Sequence, residues 1–126
     1  MKVLIADDSS IIRIKLGRFL RDLGHQIIGE AENGAQAVNL FIEKQPDLVT
    51  LDLVMPEQDG LMALRAIRQR NSQVPVIMIS SAATLANEMI ANEAGATAFI
   101  KKPFDRAILK AVIDSVLKTQ FLEKTA

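Results

Sequence analysis

A chain of 126 residues, 49% of them hydrophobic, is long enough for one domain with a single core and too short for two. Its 15 basic and 15 acidic residues cancel, so no overall field draws it to nucleic acid or to an anionic membrane, and a partner must be recognised through a local patch. Cysteine is absent, which excludes disulfides, thiolate metal sites and thiol nucleophiles together and agrees with a cytoplasmic setting.

The first apolar run, Val3–Ala6, reads as a buried strand and leads straight into Asp7-Asp8, unlike any signal peptide. Ile12, Leu16, Phe19, Leu20 and Leu23 then recur at helical spacing up to Gly24. Gln26–Ile28 is the second strand, and Glu30-Ala31-Glu32-Asn33-Gly34 after it reads as a turn with Asn-Gly supplying the tight geometry. Past a second helix and Pro46, the run Leu48–Leu51 is a third strand closed by Asp52 and a breaker-rich turn, with Asp59-Gly60 starting the next helix. Arg65, Arg68 and Arg70 read as the solvated face of that helix. Pro75 precedes the fourth strand, Val76–Ile79, which ends in Ser80-Ser81, with Ser81 as a helix cap. Gly95 closes the fourth helix, and Ala98–Ile100 is the fifth strand, ending in Lys101-Lys102 before Pro103. The last helix shows Ile108, Leu109, Val112, Ile113, Val116 and Leu117, with a short tail expected over residues 119–126. No apolar run is long enough to span a bilayer.

Five βα units in strict alternation predict an α/β fold: a doubly wound (βα)5 domain of the flavodoxin-like class, with a five-stranded parallel sheet covered on both faces. In such sheets function gathers beyond the carboxyl ends of the strands. The residues there are Asp7, Asp8, Asp52, Ser80 and Lys102. If the first and third strands are neighbours, the three carboxylates share one crevice and repel one another. A hard divalent cation relieves that repulsion, and Mg²⁺ is the natural choice for an all-oxygen set that leaves room for phosphate oxygens. A hydroxyl at Ser80 and an ammonium at Lys102 add donors suited to a phosphoryl group. Asp52 is then the expected nucleophile, and the product an acyl phosphate on its side chain.

Taken together, Asp7-Asp8, Asp52-Leu-Val-Met-Pro-Glu-Gln-Asp-Gly60, Ser80-Ser81-Ala82 and Lys102-Pro103-Phe104 resemble the receiver domain of two-component response regulators, from Lys2 to the last helix. Among stand-alone members the chain is most similar to chemotaxis regulators, in its length, its Gly29-Glu-Ala-Glu-Asn-Gly34 segment and its lack of an output domain, so residues 1–126 are expected to form one receiver domain. The resemblance implies that a histidine kinase phosphorylates Asp52. It implies that Asp8, Asp52 and the backbone carbonyl of Val54 ligate Mg²⁺, with Asp7 acting largely through water, and that the Lys102–Pro103 peptide is cis. It further implies a switch in which Ser80 moves toward the phosphoryl group and Phe99 turns inward. The altered face would be the fourth helix, fifth strand and fifth helix, about residues 84–117, where a target docks: a flagellar switch component in chemotaxis, with a phosphatase as a further partner. Ser80 stands where threonine is commoner, and Phe99 where tyrosine is commoner.

Other readings of the same residues are weaker. Asp7-Asp8 alone could start a helix capped by Ser9 or Ser10, and Phe99 alone reads as core. An aspartyl phosphatase would place a second acid two positions after the nucleophile, where Val54 stands. A flavodoxin-like electron carrier would present its phosphate to Asp7-Asp8, which repel it, and the chain has neither tryptophan nor tyrosine to wall a flavin. His25, the single histidine, lies before the second strand, at the opposite end of the sheet from the acids, which excludes a Ser-His-Asp triad and a phosphohistidine donor within the chain. Val54 and Ala82 offer nothing to position an attacking water, so slow self-dephosphorylation is expected. Within the receiver class a phosphorelay intermediate and a non-phosphorylated scaffold stand beside the chemotaxis regulator.

Overall fold

The computed structural model describes residues 1–56 and 59–125; Glu57 and Gln58 of the segment after Asp52, and Ala126, lie outside the described residues. The elements are β1 (Lys2–Ala6), α1 (Ser10–Asp22), β2 (Gln26–Ala31), α2 (Gly34–Lys44), β3 (Leu48–Leu51), α3 (Gly60–Arg70), β4 (Val76–Ser80), α4 (Leu85–Glu93), β5 (Ala98–Lys101) and α5 (Arg106–Thr125). All neighbouring strands are parallel, in the order β2-β1-β3-β4-β5. The expected doubly wound (βα)5 fold is therefore the observed one, with β1 and β3 adjacent. No helix among the described residues is long and apolar enough to cross a membrane.

Alternation along the strands divides the core in two. Leu4, Ala6, Val49, Leu51, Val76 and Met78 face α2 and α3, where Phe41, Ala63, Leu64 and Ile67 meet them. Val3, Ile5, Leu48, Ile77 and Ile79 face the other way, against Leu16 and Leu20 of α1 and Leu109 and Ile113 of α5. Every residue of β3 and β4 is buried, which is why these central strands read as predominantly apolar runs, with only Thr50 and Ser80 polar, rather than alternating ones.

Four sequence expectations need correction. Glu30 and Ala31 continue β2, paired with Ile5 and Ala6, and no Asn-Gly turn forms. Asn33 instead caps α2, its Oδ1 accepting from Gln36 N at 2.8 Å, because an extended asparagine before a helix satisfies an orphan N–H. The cap of α4 is Thr84, whose hydroxyl accepts from Asn87 N at 3.1 Å, while Ser81 is exposed. Helix α5 runs on through Thr125, since no glycine or proline interrupts residues 119–125, and Gln120 Nε2 donates to Gln73 O at 3.1 Å.

The fourth correction concerns Arg68, which is not part of a solvated face. Its Nε donates to Gly95 O at 2.8 Å, its Nη1 to Val74 O at 2.6 Å and Asn71 O at 3.2 Å, and its Nη2 to Thr97 Oγ1 at 3.3 Å. One guanidinium thus ties the end of α3 to the start of β4 and to the α4–β5 turn. Gly95 sits there at φ +106°, with the Arg68 stem where a Cβ would be. Burial lowers the guanidinium pKa from its usual value without discharging it. Arg68→Ala is expected to cost about 1–3 kcal/mol in urea denaturation, because it strips carbonyls of a charged donor. Arg68→Lys should recover only part of that, since one ammonium cannot reproduce the fork.

Candidate functional site

The carboxyl ends of β1, β3, β4 and β5 meet at one edge of the sheet, and each delivers at least one candidate site residue, β1 two of them. Asp7 follows β1, with its backbone N–H bonded to Ala31 O at 3.0 Å. Asp52 follows β3, with its N–H on Ala6 O at 2.9 Å. These main-chain bonds extend the sheet by one residue and hold both acids rigidly. Lys102 follows β5, and its N–H bonds Ser80 O at 3.0 Å, so the hydroxyl and the ammonium are set by the same ladder. The Lys102–Pro103 peptide is cis.

Lys102 Nζ bridges the two buried carboxylates, 2.8 Å from Asp7 Oδ2 and 2.9 Å from Asp52 Oδ2. The other oxygens are also engaged: Asp7 Oδ1 accepts from Ser9 N at 2.9 Å and Asp52 Oδ1 from Val54 N at 3.1 Å. Asp8 is exposed, yet Asp7, Asp8 and Asp52 can each bring one carboxylate oxygen within 4.8 Å of the others. Ser80 is buried, and its hydroxyl accepts from Ala82 N at 3.2 Å. Asp59 caps α3 through Met62 N at 2.9 Å.

The charges do not balance. Burial pushes the Asp7 carboxyl above its usual range; hydrogen bonds from Lys102 and Ser9 pull it back, and the Asp52 charge adds to the rise. Burial works against the Lys102 ammonium, but its bonds to Asp7 and Asp52 prevail and raise its pKa. Three carboxylates against one ammonium leave an excess of negative charge in an all-oxygen pocket, which fits a hard divalent cation such as Mg²⁺. Chemically the arrangement presents a carboxylate on a rigid support, with an ammonium already in contact and a hydroxyl on the adjacent strand end. Such a set can attack an electrophilic phosphorus and stabilise the oxygens around it.

The residues singled out from the sequence separate into two groups. Asp7, Asp8, Asp52 and Lys102 converge, with Ser80 beside them, whereas Phe99 lies half-buried on β5 against the core that faces α2 and α3. Val54 stands at the rim, exposed, its N–H on Asp52. It also lines a groove of about 300 Å³ with Leu53, Asp59, Leu61, Asn87 and Ile90. A larger cleft of about 520 Å³ lies at the far end between the ends of α2 and α3, with Arg70 as the single charged residue and no reacting group in its lining among the described residues. His25 is at the far end of the sheet as well, its Nδ1 3.1 Å from the Met1 amine, and burial together with that amine lowers its pKa. Arg13 was not foreseen: its Nη1 reaches Asp7 O at 2.7 Å. An arginine in an amphipathic helix carries no sequence signal for such a contact.

Comparison with known proteins places this geometry in a family. The chain is 41% identical to the chemotaxis protein CheY of Bacillus subtilis over 118 residues, covering 94% of this chain and 96% of that one. It is 36% identical over 125 residues to the transcriptional regulatory protein PdtaR of Mycobacterium tuberculosis, covering 99% of this chain and 60% of that protein. Among solved structures, CheY in the CheX-CheY-BeF3-Mg²⁺ complex of Borrelia burgdorferi superposes with a TM-score of 0.90 at 34% identity, covering 93% of this chain and 89% of that one. The family model of the response regulator receiver domain matches residues 3–114, and the chain belongs to that family.

Proposed function

We propose that this receiver domain is a phosphoacceptor switch charged by a histidine kinase in the cytoplasm. The observation that carries the reading is the Lys102 ammonium bridging Asp7 and Asp52 at 2.8 and 2.9 Å beside a third carboxylate. An oxygen of Asp52 attacks the phosphorus of a phosphohistidine on the kinase. The new O–P bond forms as the P–N bond breaks, and the imidazole leaves with a proton from solvent. Asp8, Asp52 and the Val54 carbonyl would hold Mg²⁺, with Asp7 acting largely through water, and the ion supplies neutralisation of the phosphoryl charge when bound. Lys102 needs only to turn from Asp52 Oδ2 to a phosphoryl oxygen, and Ser80, whose Oγ accepts from Ala82 N, to donate its hydroxyl proton to another.

That exchange couples charge to packing. Ser80 pulls on the loop before α4, and Phe99 turns into the space released. Helix α4 buries Ala91 but leaves Leu85, Met89 and Ile90 exposed, so its movement disturbs little core. The target docks on the α4-β5-α5 face. The near full-length similarity to CheY supports chemotaxis as the pathway, with a flagellar switch component as target and a phosphatase as a second partner. The Mg²⁺ and BeF3 in the solved CheY relative support the metal.

Intact-protein mass after incubation with acetyl phosphate tests this. A single phosphoryl adduct that requires Mg²⁺ and is lost in Asp52→Asn is the expected result, with the variant still folded because asparagine is nearly isosteric. An unmodified wild type with and without Mg²⁺ would instead indicate a scaffold that works without phosphorylation.

A further inference from the structure

The guanidinium of Arg13 lies behind the acid pair and has no part in the phosphoryl chemistry above. It projects from the first turn of α1, yet its side chain is only 13% exposed. Nη1 donates to the main-chain carbonyl of Asp7 at 2.7 Å. Nε is 3.4 Å from Glu30 Oε1 on the edge strand β2, and Nη2 is 3.9 Å from Glu32 Oε1.

The carbonyl it grips is a particular one. Ala6 O is taken by Asp52 N, and Ala31 O by Asp7 N, so Asp7 O is the first carbonyl of this chain segment beyond the ladder. It belongs to the peptide unit that also contains Asp8 N, and that unit is planar. Holding the carbonyl therefore sets the plane joining the two acids. With Asp7 Oδ1 already tied to Ser9 N, little freedom remains in how the two side chains leave the backbone.

We propose that Arg13 is the positioning residue that holds the Asp7-Asp8 peptide so that the three carboxylates converge on a divalent cation, with Glu30 orienting the guanidinium from the edge strand. The inference rests on the metal site of the function proposed above. A purely electrostatic role would have the opposite sign, since a nearby positive charge repels a cation and its removal would tighten binding. Glu30 is half exposed, with 47% of its side chain accessible, so its share is smaller than that of the carbonyl contact.

The test is titration of the full chain with MgCl2, followed by amide NMR shifts, for wild type, Arg13→Met, Arg13→Lys and Glu30→Gln. Methionine keeps the apolar stem and removes every donor. Arg13→Met is expected to weaken Mg²⁺ binding about tenfold, in the range typical of lost outer-shell support. Arg13→Lys should recover part of the affinity through a single N–H, and Glu30→Gln should weaken binding least. The Asp8 amide of Arg13→Met should also shift before any metal is added. Mg²⁺ bound by a folded Arg13→Met as tightly as by wild type, or more tightly, would overturn the proposal. If that variant does not fold, Arg13→Lys decides by the same criterion, weaker binding supporting the role and equal or tighter binding overturning it. A wild type that shows no saturable Mg²⁺ binding overturns the metal site itself and this role with it, whereas unaltered variants beside a saturating wild type remove only Arg13.

Discussion

Gly60→Ala is expected to be among the most damaging single-methyl additions to this protein. Gly60 opens α3 immediately behind Asp52, and a Cβ built on it would lie 1.8 Å from Asp52 O, 2.7 Å from Asp52 C and 2.8 Å from Leu53 Cα. All three are backbone atoms, so no side chain can rotate away. The cost is contact, not dihedral strain, because Gly60 is not among the residues at positive φ. Relief requires moving either the β3–α3 turn, pinned by Gly60 N on Leu53 O at 2.9 Å, or the end of β3. Overpacking of a tight interior typically costs 1–3 kcal/mol, and a clash with main chain belongs at or above the top of that range, about 3 kcal/mol or more. Urea denaturation measures it, and a loss below about 1 kcal/mol would show that the turn yields easily. Either movement displaces backbone next to or within Asp52, so acetyl-phosphate labelling of the folded fraction should fall as well.

Lys102→Ala is expected to produce the other large effect, with opposite consequences for metal and for switching. The ammonium compensates two buried carboxylates at once, and its removal leaves Asp7 and Asp52 facing each other. Breaking a buried ion pair from one side typically costs 3–5 kcal/mol, tempered here because the carboxylates can protonate. Asp7 is already raised by burial and by the Asp52 charge, and it loses the Lys102 contributions that lower it. A carboxyl whose folded pKa lies above its unfolded value binds more protons when folded, so stability falls as pH rises from the ordinary value of 3.8 through the folded one. The variant should show that fall over a wider pH range than wild type. Mg²⁺, no longer competing with an ammonium, should bind more tightly and stabilise the variant more, which thermal unfolding with and without MgCl2 would measure. Phosphorylation should persist without the lysine, while the response at the α4-β5-α5 face weakens. A variant whose response to phosphorylation matches wild type would remove Lys102 from the switch.

Much of this molecule is legible in the sequence because the relevant signals are local. Short runs of apolar and β-branched residues with polar or turn residues on either side are enough to locate β3 and β4, and the helical spacing of Leu16 and Leu20, or of Leu109 and Ile113, locates the helices that cover them. Parallel connectivity then forces the residues after each strand to one edge, so Asp7, Asp8, Asp52, Ser80 and Lys102 can be grouped without coordinates. Where the reading of turns and caps failed, the same side chains suit either outcome: asparagine favours tight turns and caps alike, and serine and threonine can each cap a helix.

The sequence by itself determined the (βα)5 alternation and the identity of the acids, the hydroxyl and the lysine at the strand ends, because hydrophobic period and chain connectivity depend on neighbours a few residues apart. Only the tertiary structure decided that the Lys102 ammonium sits between Asp7 and Asp52 from 95 and 50 residues away. It alone showed that Gly60 is pressed against the Asp52 carbonyl, and that Arg13 and Arg68 are clamps on main-chain carbonyls instead of surface charges. An arginine on a helix has the same local signature whether its guanidinium meets water or a carbonyl from another element. Which of the two it meets depends on how the layers pack.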